Sequence, residues 1–229
     1  INNIDWEAKK EWNKYLLSLE KKMDLIIQTK IYFEASIAQI CSQSLLDGDQ
    51  FIIGNSMPIR DVDMFTSKSK IKIKTFGNRG ASGIDGVIST ALGVAASNNT
   101  NRSLLLIGDL SFYHDMNGLL ASQYSINLTI VVVNNHGGSI FSFLPIADAN
   151  IESFEKFWIT DTGIDFEKVA NLYRCKYYRV NDLPTLQSNI QDSFQRNGIK
   201  IIEAVINSKE NLEFHQSIQK EVKLAIVSN

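Results

Sequence analysis

The stretch Leu104-Leu105-Leu106-Ile107-Gly108-Asp109-Leu110-Ser111 decides how this chain folds. An apolar run without polar alternation is how a strand reads when both of its faces are covered. The run stops at a glycine and an acid. Ser111 then stands where a helix N-cap is expected, ahead of a helical stretch over 113–124. A second run, 128–133, behaves the same way and ends in Asn134-Asn135-His136-Gly137-Gly138. Outward from these two, the segments 51–54, 71–76, 176–180 and 200–206 are further strand candidates, and helical stretches lie between most of them. Such alternation predicts an α/β domain built on a doubly wound parallel sheet.

Before the first strand the rhythm is helical. Trp12, Tyr15, Leu16, Leu19 and Met23 recur at helical spacing among Lys and Glu, which predicts an amphipathic surface helix. A second helical run over 32–46 ends in the breaker cluster Asp47-Gly48-Asp49. Residues 1–48 therefore read as a helical lead-in, the end of a preceding middle domain or a linker, and 49–229 as the α/β domain. With 229 residues, 44% hydrophobic and 21% charged, the chain can bury one substantial core. A net charge of -2 supplies no clustered positive field for nucleic acid or an anionic membrane. No apolar run is long enough to span a bilayer, so membrane insertion is not expected. Cys41 and Cys175 lie far apart without ligand spacing, which points to neither a disulfide framework nor a zinc site and fits a reducing compartment. The chain opens at Ile1 rather than Met, and an upstream part is expected.

Ligands of open parallel sheets sit beyond the carboxyl ends of the strands. Four loops there carry unusual residues: Gly54-Asn55-Ser56, Gly77-Asn78-Arg79-Gly80, Gly108–Ser111 and Asn134–Gly138. Mg²⁺ takes a near-octahedral set of oxygens, a few from protein and the rest from phosphate and water. Asp109 could give a carboxylate oxygen, Asn135 its amide oxygen and Gly137 a main-chain carbonyl, leaving room for two diphosphate oxygens and a water. A helix starting near Ser111 would aim free N–H groups at the diphosphate. The glycine pair would let carbonyls approach a ligand closely. Taken singly, an Asp at that place can merely cap a helix and Asn-Asn can make an ordinary turn. Together they match the thiamine diphosphate motif, which begins Gly-Asp-Gly and ends Asn-Asn, with Leu110 in place of the last glycine.

Three segments appear in order around that motif: Gly54-Asn55-Ser56-Met57-Pro58-Ile59-Arg60-Asp61, GNRGASGIDG over 77–86, and NNHGGSIFSFLP over 134–145. They resemble the C-terminal part of the 2-succinyl-5-enolpyruvyl-6-hydroxy-3-cyclohexene-1-carboxylate synthase (MenD) family, closely from 51 to 148 and in general pattern elsewhere. That family also carries a non-glycine residue at the Leu110 position. The resemblance implies the pyrophosphate-domain fold of thiamine diphosphate enzymes. It also implies decarboxylation of 2-oxoglutarate, and addition of the four-carbon carbanion equivalent to isochorismate, in menaquinone or phylloquinone biosynthesis.

Residue by residue, the resemblance implies that Ser56, Arg60 and Arg79 hold polar groups of the substrates. Arg suits carboxylates because its planar fork makes two parallel hydrogen bonds; the alternative for both is an ordinary structural ion pair. Ser82 and Gly83 would line the aminopyrimidine, and Ile84 would be the apolar wedge that bends the cofactor. Gly108, Asp109, Leu110 and Ser111 would meet the diphosphate. Ile140, Phe141 and Leu144 would wall the thiazolium, although plain core packing accounts for Phe141 and Leu144 equally. Asp109, Asn135 and Gly137 would bind Mg²⁺, or Mn²⁺ in its place. No catalytic group is expected in this chain: the activating glutamate belongs to an N-terminal pyrimidine-binding domain, and no segment here looks like one. The expectation is a fragment, or a subunit that depends on a partner chain, within a homodimer or homotetramer in the bacterial cytoplasm or plastid stroma. Two rivals remain, an acetolactate-synthase-like carboligase and a non-catalytic cofactor-binding fragment. His114 and His136 are given no catalytic role, and His215, in a polar C-terminal helix, has no evident one.

Overall fold

The computed structural model describes residues 6–27, 31–67, 70–97, 100–149 and 153–227. In chain order the elements are α1 (Trp6–Ile27), α2 (Glu34–Gln43), β1 (Gln50–Ile53), α3 (Met57–Phe65), β2 (Lys74–Phe76), α4 (Val87–Ser97), β3 (Ser103–Gly108), α5 (Asp109–Asp115), β4 (Leu128–Asn134), α6 (Phe166–Leu172), β5 (Lys176–Val180), α7 (Leu183–Phe194), β6 (Ile199–Val205) and α8 (Ser208–Val227). The six strands form one sheet in the order β2-β1-β3-β4-β6-β5, and every neighbouring pair is parallel. This is the doubly wound α/β fold that the apolar runs predict.

The central strands explain why their sequence lacks alternation. Successive side chains of a strand point to opposite faces, and here both faces are covered. Leu105, Ile107, Ile130 and Val132 pack with α4, Phe112 of α5 and Phe166 of α6. Leu104, Leu106, Val131 and Val133 pack with Ile37, Ala38 and Cys41 of α2 and with Leu186 and Ile190 of α7. Helix α2, which falls within the 1–48 segment, thus shares with α7 the covering of one face of the sheet. Helix α1 packs on α8, with Trp12 and Leu16 exposed and Tyr15 and Leu19 half-buried; the side chain of Met23 lies outside the described residues. No helix among the described residues is long and apolar enough to cross a membrane.

Two expected elements differ in extent. The strand over 71–76 contracts to Lys74–Phe76, because the Asp47–Asp49 turn takes the earlier backbone: Gly48 N–H donates to the Lys72 carbonyl and Asp47 accepts from Lys72 N–H. The helix over 113–124 instead starts at Asp109 and ends at Asp115, then tightens into a 3₁₀ turn over Met116–Gln123. Asp115 there accepts from the backbone and hydroxyl of Ser89, and Gly118 passes so close to Ser89 that an added Cβ would meet its hydroxyl at 2.8 Å.

One cation is buried in the sheet. Lys200 on β6 donates to the carbonyls of Arg196 and Gly198, and burial brings its pKa down to about 8. An unfolded Lys holds its proton up to about 10.4. Between those values the unfolded chain binds more protons, so this group's contribution to stability rises with pH. The expected result is that the melting temperature of the parent, relative to Lys200→Met, climbs from pH 8 to pH 10. A difference that stays flat would assign Lys200 an ordinary proton affinity.

Candidate functional site

The strand order reverses between β1 and β3: the chain passes from β1 to β2 on one side and returns to β3 on the other. A crevice opens at such a point beyond the carboxyl ends of the strands. Here it is a cavity of about 160 Å³ lined from the tips of β1, β3 and β4, including Asn55, Ser56, Met57, Asp109, Asn135 and Ile140. At the β1 tip, Ser56 takes a positive φ of 71° at the start of α3. A non-glycine residue there stores strain that the surroundings must hold. Asn55, buried beside it, spends its whole carboxamide on neighbours. Its Nδ2 donates to the Asn78 and Gly83 carbonyls, and its Oδ1 accepts from Arg79 Nη1 at 3.1 Å. Asn55 therefore staples the 77–86 loop to the sheet.

At the β3 tip, Gly108 is extended and α5 begins at Asp109, two residues earlier than the Ser111 cap read from sequence. Asp109 is buried, and its carboxylate accepts from Leu110 N–H at 2.7 Å and from Gly137 N–H at 2.8 Å. Burial pushes its pKa up to about 6, against the pull of those two donors. Ser111 is not a cap: its hydroxyl donates to the Ile84 carbonyl at 2.7 Å and fastens Ile84 to the cavity wall.

The β4 tip separates the two asparagines. Asn134 is structural, donating to Glu203 at 2.7 Å and accepting from His136 N–H. Asn135 lines the cavity. Its Nδ2 donates to Glu34 Oε1 and, at 2.6 Å, to Ser139 Oγ, whereas its Oδ1 is buried without a partner among the described residues. A buried acceptor left unpaired costs about 1–3 kcal/mol, so this oxygen is suited to something that binds in the cavity. A carboxylate and an amide oxygen in one wall are the donors a hard cation takes. Gly137 differs from expectation. Its N–H serves Asp109, its carbonyl accepts from Ser139 N–H, and the close approach it allows is made by protein: an added Cβ would fall onto the carbonyl oxygen of Ile159. At Gly138 a Cβ would lie 2.7 Å from the Trp158 carbonyl. The glycine pair is required because the turn Glu155–Ile159 lies directly on it.

The cavity thus brings together Ser56, Ile84, Gly108, Asp109, Leu110, Ser111, Asn135, Gly137, Ile140 and Phe141. Arg60, Arg79, Ser82, Gly83 and Leu144 are not in its wall. Arg60 and Arg79 are exposed, Arg60 folding back onto the Ser56 carbonyl at 2.6 Å; Ser82 donates to the Arg79 carbonyl. Phe141 packs edge-on to Trp158, with centroids 5.2 Å apart. His114 and His136 are exposed, the latter 3.5 Å from Asp161.

Sequence reading missed Glu34 and the cluster behind it. Glu34 in the first turn of α2, Asp61 of α3 and His215 of α8 are all buried, with their polar atoms within 4.8 Å of one another. His215 Nδ1 is 2.8 Å from the Asn211 carbonyl, which can only accept, so that nitrogen carries a proton. Nε2 is 2.9 Å from Asp61. Burial works against charge on His215, but the hydrogen bond and charge of Asp61 outweigh it and raise its pKa. Burial likewise raises Asp61, and burial with the nearby Asp61 pushes Glu34 up to about 7. The one signal in sequence was His215 itself, a histidine otherwise unexplained in a polar helix.

Comparison with known proteins identifies the family. Residues 67–204 match the family described as thiamine pyrophosphate enzyme, C-terminal TPP binding domain. The chain is 37% identical over 219 residues to the 2-succinyl-5-enolpyruvyl-6-hydroxy-3-cyclohexene-1-carboxylate synthase of Desulfitobacterium hafniense, covering 95% of this chain and 39% of that protein. It is 42% identical to the synthase of Listeria innocua, over 93% of this chain and 37% of the relative. It is 46% identical to that of Listeria welshimeri, over 82% and 32%. The chain spans less than two fifths of the length of these relatives.

Proposed function

The chain belongs to the thiamine pyrophosphate enzymes, whose C-terminal cofactor-binding domain it matches, and on that premise we propose that it is the diphosphate-binding half of a 2-succinyl-5-enolpyruvyl-6-hydroxy-3-cyclohexene-1-carboxylate synthase. The observation that carries the metal part of this reading is the unpartnered Oδ1 of Asn135 in the same cavity wall as Asp109. Asp109 and Asn135 would hold Mg²⁺, or Mn²⁺, against the diphosphate. The Gly137 carbonyl, already accepting from Ser139, keeps a second lone pair for the same ion.

Thiamine diphosphate, when bound, would supply the electron sink for decarboxylation of 2-oxoglutarate. The chain's residues do the rest of their half. Gly137 N–H fixes the Asp109 carboxylate and the Ser111 hydroxyl pins Ile84, which would serve as the apolar wedge; Ile140 and Phe141, in the cavity wall, would keep water from the thiazolium side. Arg60 and Arg79 lie outside the cavity wall with donors to spare beyond their single backbone or Asn55 contacts, and would reach the carboxylates of 2-oxoglutarate and isochorismate. The activating glutamate would come from the pyrimidine-binding domain of a second subunit, so the working enzyme would be a homodimer or homotetramer. The bacterial origin of the relatives favours menaquinone biosynthesis in a bacterial cytoplasm.

The test is substrate choice. Assembled with a pyrimidine-binding domain, the protein should consume 2-oxoglutarate and isochorismate together and leave pyruvate untouched. Turnover of pyruvate would instead support an acetolactate-synthase-like activity and sink the substrate assignment.

A further inference from the structure

A carboxamide is nearly symmetric in shape, so whether Asn135 offers its oxygen or its NH₂ to the cavity depends on what its far end meets. Its two Nδ2 hydrogens have two acceptors, Glu34 Oε1 and Ser139 Oγ. Turned over, the amide would set Oδ1 against the Glu34 carboxyl and aim its hydrogens at a cation; the second contact is repulsive, and so is the first with Glu34 ionised. We propose that Glu34, together with Ser139, is a positioning residue that holds the Asn135 carboxamide with its oxygen toward the metal. This rests on the Asp109–Asn135 reading above.

Glu34 is tied to α8 through its backbone, and its carboxyl reaches Asn135 through Oε1 while Oε2 is buried without a hydrogen bond among the described residues. Its backbone N–H donates to Asn211 Oδ1 of α8 at 3.0 Å, and its carboxyl sits beside Asp61 of α3 and His215 of α8. The convergence of α2, α3 and α8 on the β4 tip gives the buried cluster a purpose that packing alone does not. The partnership is invisible locally because Glu34 and Asn135 are 101 residues apart. Groups that orient a metal ligand from behind typically contribute 10–100-fold to metal affinity.

The experiment is titration of the 229-residue chain with Mn²⁺ in the presence of thiamine diphosphate, read by the electron paramagnetic resonance of free Mn²⁺, with melting temperatures alongside. Glu34→Met keeps the volume and removes the acceptor, and Ser139→Ala removes the other acceptor at little risk to folding. Each should weaken Mn²⁺ binding by about tenfold or more, while Glu34→Gln, which keeps an acceptor oxygen, should restore it. Parent-like affinity in a folded Glu34→Met variant, or in Ser139→Ala, overturns the proposal. A loss in Glu34→Gln equal to that in Glu34→Met also overturns it, since charge rather than orientation would then matter. If the parent itself fails to bind Mn²⁺, or Asn135→Ala binds as the parent does, the metal reading falls first and the positioning role falls with it.

Discussion

Asp109→Ala should cost at least about a hundredfold in metal-dependent affinity for thiamine diphosphate, more than the range for residues that only orient a ligand. Two losses combine. The substitution deletes the carboxylate that offers the cation a full negative charge, and it releases Gly137 N–H, which the carboxylate anchors at 2.8 Å. The second loss loosens the turn that carries Asn135 and Ser139. Asp109→Asn separates them: its amide oxygen can still accept from Gly137, so the loop should hold while the charge is gone. Calorimetric titration of both variants with thiamine diphosphate and Mg²⁺ measures the effect. Affinity within a factor of about three of the parent for Asp109→Ala would remove Asp109 from the metal site, since about 0.65 kcal/mol is too little for a lost ligand.

The largest effect on stability is expected at His215, far from any solvent. Its ring lies among Phe33, Phe65 and Phe143, with centroids 5.3, 5.6 and 5.4 Å away, and bridges Asn211 and Asp61. His215→Ala leaves Asp61 as a buried acid without its partner, and breaking a buried pair from one side costs about 3–5 kcal/mol. For a chain of this size each kcal/mol lowers the melting temperature by roughly 2–4 °C, so a fall of roughly 6–20 °C is expected. His114→Ala, at an exposed position, is the control and should move it little. A His215→Ala variant that melts with the His114→Ala control would mean that Asp61 finds another partner.

The sheet was legible because its strands announce themselves. Runs such as 104–107 and 128–133, apolar on both faces, have no other stable place than the centre of a parallel sheet, and the residues that end them, Gly108-Asp109 and Asn134-Asn135, mark its binding edge. What was less legible depends on partners distant in the chain. Ser111 looks like a helix cap, but α5 begins at Asp109 and leaves the hydroxyl free to hold Ile84. The glycines at 137 and 138 line the cavity, but what requires them to be glycine is the backbone of 158–159, which lies where a Cβ would go. Asn55 shows in sequence only as part of a strand-tip loop and Glu34 carries no local pattern; their roles come from contacts across 23 to 28 residues for one and 101 for the other. Helix α2 precedes the first strand, and only tertiary packing shows its apolar face against β1, β3 and β4.

The most direct test of the central claim is calorimetric titration of this chain with thiamine diphosphate, with Mg²⁺ present and after chelation. Binding in the micromolar to millimolar range, roughly 4–8 kcal/mol, that disappears when Mg²⁺ is removed is the predicted result. Binding that survives chelation unchanged, or no binding with Mg²⁺ in excess, would contradict a cation held between Asp109 and Asn135.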